Sequence, residues 1–157
     1  VRAMPNLPAF ISRGVTAIYC SSSILPNEKL IIEELLSSIG TVSFVSNEEQ
    51  IDLITAISGS GPAYFFYLTE ALTEIAIDLG ISKDDATNFA KNTFIGSAIL
   101  LDSDNINNAT SLRKNVTSPG GTTEAALKIL MNEEEGLKII LKKAVLNAIN
   151  RAHELKN

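Results

Sequence analysis

One predicted helix is apolar on almost every side, and this feature constrains the fold more than any other. It runs from about Pro62 to Leu79. Its polar residues form a single narrow stripe, which consists of Thr69, Glu70, Thr73, Glu74 and Asp78. A helix that is apolar nearly all round must be buried nearly all round. In a chain of 157 residues such burial is easier to achieve with a second subunit, so we expect an obligate oligomer.

The composition is typical of a soluble globular protein, with 45% hydrophobic and 20% charged residues. A net charge of −5 leaves no basic surface for nucleic-acid phosphates. The densest basic group, Lys138, Lys142 and Lys143, lies near three glutamates and is interpreted as a solvated helix face. No apolar run reaches the length of a membrane span, and no signal peptide is visible. We therefore expect a cytoplasmic protein without nucleic-acid or membrane partners.

The sequence predicts no disulfide, no metal site and no hydrolase site. Cys20 is the single cysteine, and His153 is the single histidine, without a partner at metal-ligand spacing. We interpret His153 as a surface residue of a helix. Asp84 and Asp85 fit the acidic first turn of a helix better than a catalytic pair. No serine lies in a nucleophile elbow, so no hydrolase site is predicted. The lone cysteine and histidine likewise predict no metal site.

Residues 1–46 predict a fragment of an α/β layer. A strand is expected over Gly14 to Cys20, and a second over Thr41–Val45. Between them, a helix is expected from about Glu28 to Ser38, with Asn27 as its N-cap and Gly40 just past its end. Alone, this layer would leave a sheet edge and one face uncovered, and the chain opens without a preceding loop. We therefore expect it to be the end of a larger domain that was cut.

The remaining residues, from 47 onward, predict helices separated by Gly, Ser and Pro. A capping box at Ser46–Glu49 indicates that the first of them starts near Glu48. The expected helices cover residues 48–57, 62–79, 83–101, 110–115, 122–131 and 135–155. The fold class is therefore mostly α, with two parts, 1–46 and 47–157.

The segment Val116–Thr123, with the sequence VTSPGGTT, is the strongest candidate for a binding site. Two adjacent glycines allow the backbone to approach a ligand, and the chain then begins a helix. The first amides of a helix are unpaired and carry partial positive charge, so they bind a carboxylate or phosphate. Ser118, Thr122 and Thr123 add hydroxyl groups next to the bound anion. A plain Gly-rich turn with threonine as the helix cap explains the same residues.

The segment Ser58–Ala63, with the sequence SGSGPA, is a second Gly-rich helix start. It could bring backbone close to a flat ring or an anion, and a tight turn between helices is an equally good interpretation. It is not the dinucleotide fingerprint G-x-G-x-x-G, which occurs nowhere in this chain.

The blocks Met4–Pro8, Ser58–Tyr64, Glu70–Leu72 and Val116–Thr123 occur in the order and spacing of pyrroline-5-carboxylate reductases, so the chain resembles the C-terminal part of that family. The resemblance covers essentially the whole chain. It implies that residues 1–46 are the C-terminal remnant of an NAD(P)-binding Rossmann-like domain. Residues 47–157 would be the all-helical domain that dimerises and binds substrate. One departure is Leu7, which stands where the family commonly has threonine.

The resemblance also implies roles for individual residues. Backbone amides of Gly121, Thr122 and Thr123 would hold the substrate carboxylate, and the Thr123 hydroxyl would face the ring nitrogen as the catalytic group. The implied substrate-binding set is Ser118, Gly120, Gly121, Thr122, Thr123, Glu48 and Asp104. The implied cofactor-side set is Met4, Pro5, Asn6, Thr55, Pro62 and Asn115.

The activity implied by the resemblance is the reduction of 1-pyrroline-5-carboxylate to L-proline by NADPH, with NADH as an alternative donor. The substrate carboxylate must be anchored so that the imine carbon lies about 3–3.5 Å from the hydride donor. The resemblance implies a homodimer, or a larger ring of dimers. The main phosphate-binding loop is absent from this chain, so the isolated chain is expected to show no turnover. Two alternatives remain: an inert helical dimerisation module, and a reductase of another cyclic imine or a β-hydroxy acid.

Overall fold

The structure is a computed structural model that describes residues 1–103 and 108–155. Its sheet has three strands in the order β1-β2-β3: β1 is Arg2–Met4, β2 is Gly14–Tyr19 and β3 is Gly40–Phe44. β1 is antiparallel to β2, and β2 is parallel to β3. Helix α1, Pro26–Ser37, connects β2 to β3 because parallel neighbours need a crossover. The predicted strand–helix–strand order is confirmed.

The predicted N-cap of α1 is wrong. The helix begins at Pro26, so Asn27 lies inside its first turn. Proline suits the first helical position because its fixed φ matches the helix and its missing N–H would be unpaired there anyway. The carboxylate of Glu28 accepts from the Leu25 amide at 2.8 Å, so this glutamate supplies the polar cap.

In the described part of the chain, six further helices follow the sheet, as the mostly-α prediction required. They are α2 (Glu49–Ile54), α3 (Gly61–Asp78), α4 (Lys83–Ser103), α5 (Ala109–Asn115), α6 (Thr122–Leu130) and α7 (Leu137–Glu154). A turn of π-helix, Thr55–Gly59, lies between α2 and α3.

The start and end of α2 differ from the prediction. Asn47 rather than Ser46 provides the side-chain acceptor, which lies 3.0 Å from the Gln50 amide. Gln50 in turn accepts from the Ser46 amide at 2.8 Å, so the expected reciprocal cap exists one residue further along. The helix also does not continue in α-geometry to residue 57, because the backbone widens into the π-helical turn after Ile54.

The chain packs as two compact units. The first comprises Val1–Tyr64 and the C-terminal residues from Lys142, and the second comprises Phe65–Leu141. Ile18 and Ile51 are the largest fully buried apolar side chains of the first unit. The buried hydrophobic residues of the second unit, among those described, are Ala86 and Ala90. The predicted domain boundary between residues 46 and 47 stays a prediction.

Helix α3 leaves most of its apolar surface exposed in the single chain. Gly61 is its one buried residue. Phe66 is 55% exposed and Tyr67 is 69% exposed, although both are large aromatic side chains. Other exposed apolar residues of α3 are Phe65, Leu68, Leu72, Ile75 and Ile77. In the part of the chain that the structure describes, no helix combines the length and hydropathy needed to cross a membrane.

Candidate functional site

The Gly-rich segment before α6 forms a tight turn. The Gly121 amide donates to the Ser118 carbonyl at 3.0 Å, which closes a four-residue turn with Pro119 and Gly120 at its centre. Gly120 has φ +72°, a left-handed value that favours glycine. Proline followed by a residue of positive φ is the pattern of a type II turn. The turn therefore delivers the chain into α6 in one defined direction.

Helix α6 begins directly after this turn with open backbone amides. Gly121 is its N-cap, and Thr122 and Thr123 are its first residues. Within residues 1–103 and 108–155, no oxygen accepts from the backbone amides of Thr122 and Thr123. The predicted carboxylate clamp counted Gly121 as a third donor, but its amide is already paired with Ser118. The open donors at this helix start are thus the amides of Thr122, Thr123 and Glu124, the first three residues of α6.

A glutamate of α6 folds back over the turn. One carboxylate oxygen of Glu124 accepts from the Gly120 amide at 2.9 Å, and Lys128 lies 3.9 Å from the same oxygen. A glutamate at the third helical position that reaches back in this way stabilises the helix start. The negative charge at the turn is therefore partly balanced by Lys128, and Gly120 is not available to a ligand without displacement of Glu124.

The residues around this turn belong to the same unit. Glu124, Lys128 and Thr117 line a shallow cavity of about 370 Å³, together with Arg113, Lys114, Leu127 and Met131. Asn115, predicted to lie near the nicotinamide, is the last residue of α5 and is exposed. Asp104, predicted to bind substrate, lies outside the described residues.

The first unit holds the other predicted site residues. Glu48 lies beside Arg2, with 3.4 Å between the guanidinium and the carboxylate. The same guanidinium contacts Asp52 at 2.9 Å, and the Asp52 side chain is only 3% exposed. Arg2 therefore links the half-exposed Glu48 to a buried carboxylate.

The predicted cofactor-side residues of the first unit gather around the π-helical turn. The Thr55 hydroxyl donates to the Ile51 carbonyl at 2.7 Å. The Asn6 amide group donates to the Ser58 carbonyl at 3.0 Å and accepts from the Val15 amide at 2.8 Å. Met4 packs against Gly59, and an added Cβ at Gly59 would lie 2.8 Å from the Met4 methyl carbon. Thr55 and Asn6 are thus bonded within the protein, and Met4 offers an apolar surface.

Sequence reasoning missed the buried ion pair and the bonds that hold the π-helical turn. Asp52 stands among apolar residues of α2, and a carboxylate in such a position signals a buried partner. That partner is 50 residues away in sequence, so no local pattern identifies Arg2. Tyr64, quoted only as part of a motif, donates its hydroxyl to the Ala56 carbonyl at 2.9 Å.

His153 is more than a surface residue. Its ring is 57% exposed, as predicted, but Nε2 lies 3.9 Å from the buried Asp52 carboxylate. Among the residues with described positions, no group of His, Cys, Asp and Glu could hold a metal ion. Cys20 forms no disulfide.

These features define a class of protein: a mostly helical chain, preceded by a small α/β layer, with open amides at one helix start and a largely exposed apolar helix. Comparison with known proteins identifies the family. Residues 48–155 match the family described as pyrroline-5-carboxylate reductase dimerisation. Because this match covers more than half of the chain, the chain belongs to that family.

Named relatives and solved structures agree with this assignment. The chain is 38% identical to a pyrroline-5-carboxylate reductase of Pseudomonas aeruginosa, over 99% of this chain and 56% of the relative. It is 40% identical to a reductase of Mycobacterium tuberculosis, over 99% of this chain and 57% of the relative. The chain thus spans about half the length of these curated relatives.

Among solved structures, a pyrroline-5-carboxylate reductase from Coxiella burnetii matches with a TM-score of 0.89 at 40% identity, over 98% of this chain and 56% of that one. A Plasmodium falciparum pyrroline carboxylate reductase, solved with NADP bound, matches with a TM-score of 0.83 at 26% identity. That match covers 99% of this chain and 62% of the other.

Proposed function

We propose that the chain is the C-terminal, substrate-holding and dimerising part of an enzyme that reduces 1-pyrroline-5-carboxylate to L-proline. The names of the relatives support the reaction, and the open amides of Thr122 and Thr123 are the observation that carries it. Two adjacent backbone donors at a helix start suit a carboxylate, because the amides and the helix dipole act on the same anion. A cyclic imino acid offers such a group beside its reactive C=N bond.

The residues of the chain would hold and orient this substrate. The carboxylate would accept from the Thr122 and Thr123 amides, while the Thr123 hydroxyl would face the ring nitrogen. When bound, a reduced nicotinamide supplies the hydride that adds to the imine carbon. If the ring nitrogen is already protonated, no strong acid is needed from the protein, and positioning contributes most of the rate.

This chain by itself would flank a nicotinamide cofactor rather than hold it. Asn6 and Thr55 have bonded side chains, so Met4, Pro5 and Pro62 would contribute mainly apolar contact. The sequence contains no Gly-rich fingerprint for the cofactor phosphates. We therefore expect no NADPH oxidation by the isolated chain, which a spectrophotometric assay with the imine would check.

Calorimetric titration with L-proline tests the contact of the Thr123 hydroxyl by substitution, and titration with pyrrolidine tests the carboxylate clamp. Thr123→Ser should bind with almost unchanged affinity, whereas Thr123→Ala should bind about fivefold more weakly through loss of about 1 kcal/mol from one hydrogen bond. Pyrrolidine, which lacks the carboxylate, should not bind. Thr87→Ala, which removes a hydroxyl bonded to the Lys83 carbonyl on α4, is the matched control. Equal binding of pyrrolidine and proline would refute the clamp.

We further propose that a second copy of the chain covers α3 in a homodimer, and that larger rings of dimers form from it. The exposed aromatic and aliphatic side chains of α3 support this assembly. Sedimentation should give at least twice the mass of one chain. Leu72→Glu should lower that mass, and Glu70→Gln on the polar stripe of the same helix should leave it unchanged. A monomeric chain would refute the dimer, and a dimer without proline binding would indicate an inert dimerisation module.

A further inference from the structure

The carbonyl group of Ser58 lacks its usual donor. In an α-helix this carbonyl would accept from the amide four residues later. Here that residue is Pro62, which has no N–H. The next amide, of Ala63, donates instead to the Ser60 carbonyl at 3.0 Å. Ser58 therefore needs a donor from outside its own helix, since a carbonyl left without one away from water is costly.

Asn6 supplies this donor. Its Nδ2 donates to the Ser58 carbonyl at 3.0 Å, and its Oδ1 accepts from the Val15 amide at 2.8 Å. The two bonds fix the orientation of the amide, because an exchange of its oxygen and nitrogen would leave both contacts mismatched. One side chain thus joins the segment after β1, strand β2 and the π-helical turn.

Other contacts hold the same turn in place. The Tyr64 hydroxyl donates to the Ala56 carbonyl at 2.9 Å, and the Ser58 hydroxyl donates to the Ile54 carbonyl at 3.2 Å. A Cβ added at Gly59 would lie only 2.8 Å from the Met4 methyl carbon. Side chains therefore satisfy carbonyls of the turn, and the Met4–Asn6 segment lies directly against it.

We propose that Asn6 is a positioning residue of the reductase, and this inference rests on the proposed function. By bonding to Ser58, Asn6 fixes the spacing between the Met4–Asn6 segment and the turn that precedes Pro62. Both segments are predicted to flank the cofactor. A displacement of about 1 Å in such a site can lower the rate about a hundredfold. Asn6 acts through the backbone of its neighbours, so it need not touch the cofactor itself.

Hydrogen exchange measures the contact without requiring turnover. Asn6→Ala removes the donor, and Asn6→Asp keeps the acceptor for Val15 but places a carboxylate against the Ser58 carbonyl. Both should accelerate exchange of the amides between Ser58 and Tyr64 about tenfold, because a partly buried carbonyl loses its partner. The control is Asn147→Asp, which removes a comparable 3.0 Å bond from side-chain nitrogen to the Lys143 carbonyl on an exposed helix face.

A second substitution tests whether Ser58 is the relevant acceptor. Pro62→Ala supplies a backbone N–H at the position where an α-helical donor to Ser58 belongs. In that background, Asn6→Ala should accelerate exchange no more than about twofold, because Ser58 has a second possible partner. If Asn6→Ala accelerated exchange as much in the Pro62→Ala protein as in the protein that keeps Pro62, the assignment would be overturned. It would also be overturned if the amides between Ser58 and Tyr64 exchanged equally fast in Asn6→Ala and in Asn147→Asp.

The kinetic consequence is measured in the assembled reductase, which comprises this chain and a nucleotide-binding half. Asn6→Ala should lower kcat about tenfold or more and leave KM for the imine within about twofold, below the temperature at which the variant unfolds. An unchanged kcat would overturn the positioning role. Absence of turnover in the unsubstituted assembly would instead overturn the proposed function. The hydrogen-exchange measurements on the Asn6 variants, with and without Pro62→Ala, would still decide the contact between Asn6 and Ser58.

Discussion

The ion pair between Arg2 and Asp52 gives the sharpest stability prediction. Its atoms are 2.9 Å apart, and the Asp52 side chain is 3% exposed while the Arg2 side chain is 34% exposed. Arg2→Met keeps most of the aliphatic volume and removes the charge and its donors. The buried carboxylate then loses a charged contact of 2.9 Å at a position where water cannot replace it fully.

The expected loss of stability follows from this burial. Removal of one partner from a fully buried pair costs about 3–5 kcal/mol. Because Arg2 is one-third exposed and His153 lies 3.9 Å from the other Asp52 oxygen, we expect the lower part of that range or less. Arg2→Met should therefore reduce the free energy of unfolding by about 2–3 kcal/mol.

Urea unfolding followed by far-ultraviolet circular dichroism measures this difference. The protein concentration is held constant, because oligomerisation makes apparent stability concentration-dependent. Arg151→Met is the matched control: Arg151 and Glu154 are 2.7 Å apart, but their side chains are 66% and 63% exposed. An exposed pair of this kind contributes about 0.2–1 kcal/mol at most, so the control should change little.

A double-mutant cycle isolates the pair itself. Asp52→Asn removes the buried charge, and Arg2→Met should then cost much less than it does alone. Equal effects of Arg2→Met and Arg151→Met would show that burial of Asp52 does not strengthen the contact. Strictly additive effects of the two substitutions at Arg2 and Asp52 would likewise refute the reasoning.

Three further predictions concern turns and helix starts, and each is measured by urea unfolding. Gly120→Ala should cost about 1–2 kcal/mol, because its φ is +72° and a Cβ there meets nothing within 4 Å, so the cost is conformational alone; unchanged stability would contradict this. Glu124→Gln should keep the 2.9 Å contact with the Gly120 amide, whereas Glu124→Ala should lose about 0.5–1 kcal/mol, and equal values would exclude a capping role. Ser82→Ala should cost about 1 kcal/mol because the hydroxyl accepts from the Asp85 amide, and a cost near zero would show that another group caps α4.

The sequence was most informative where local chemistry determines structure. Gly120 and Gly121 predict a turn followed by a helix, and α6 indeed begins at Thr122. The helix predicted from Pro62 to Leu79 agrees with α3 to within one residue at each end. Both signals depend on neighbouring residues only, so one sequence is enough to read them.

Contacts between distant segments could not be derived in the same way. Asn6 donates to the π-helical turn at Ser58, which is 52 residues away in sequence, and the Arg2 contact with Asp52 spans a similar separation. The N-cap of α1 was predicted wrongly for a different reason. Both Asn27 and Pro26 are good helix-start residues, and the proline took the first position.

Strand β3 has consequences for handling the protein in solution. It has one neighbouring strand in the described sheet, and its residues Thr41, Ser43 and Phe44 are exposed. A strand with a free edge presents a row of backbone donors and acceptors to any other extended chain. We therefore expect slow turbidity at high concentration, caused by edge-to-edge pairing of β3 between molecules. Ser43→Lys should suppress this turbidity without altering the mass of the assembly formed through α3.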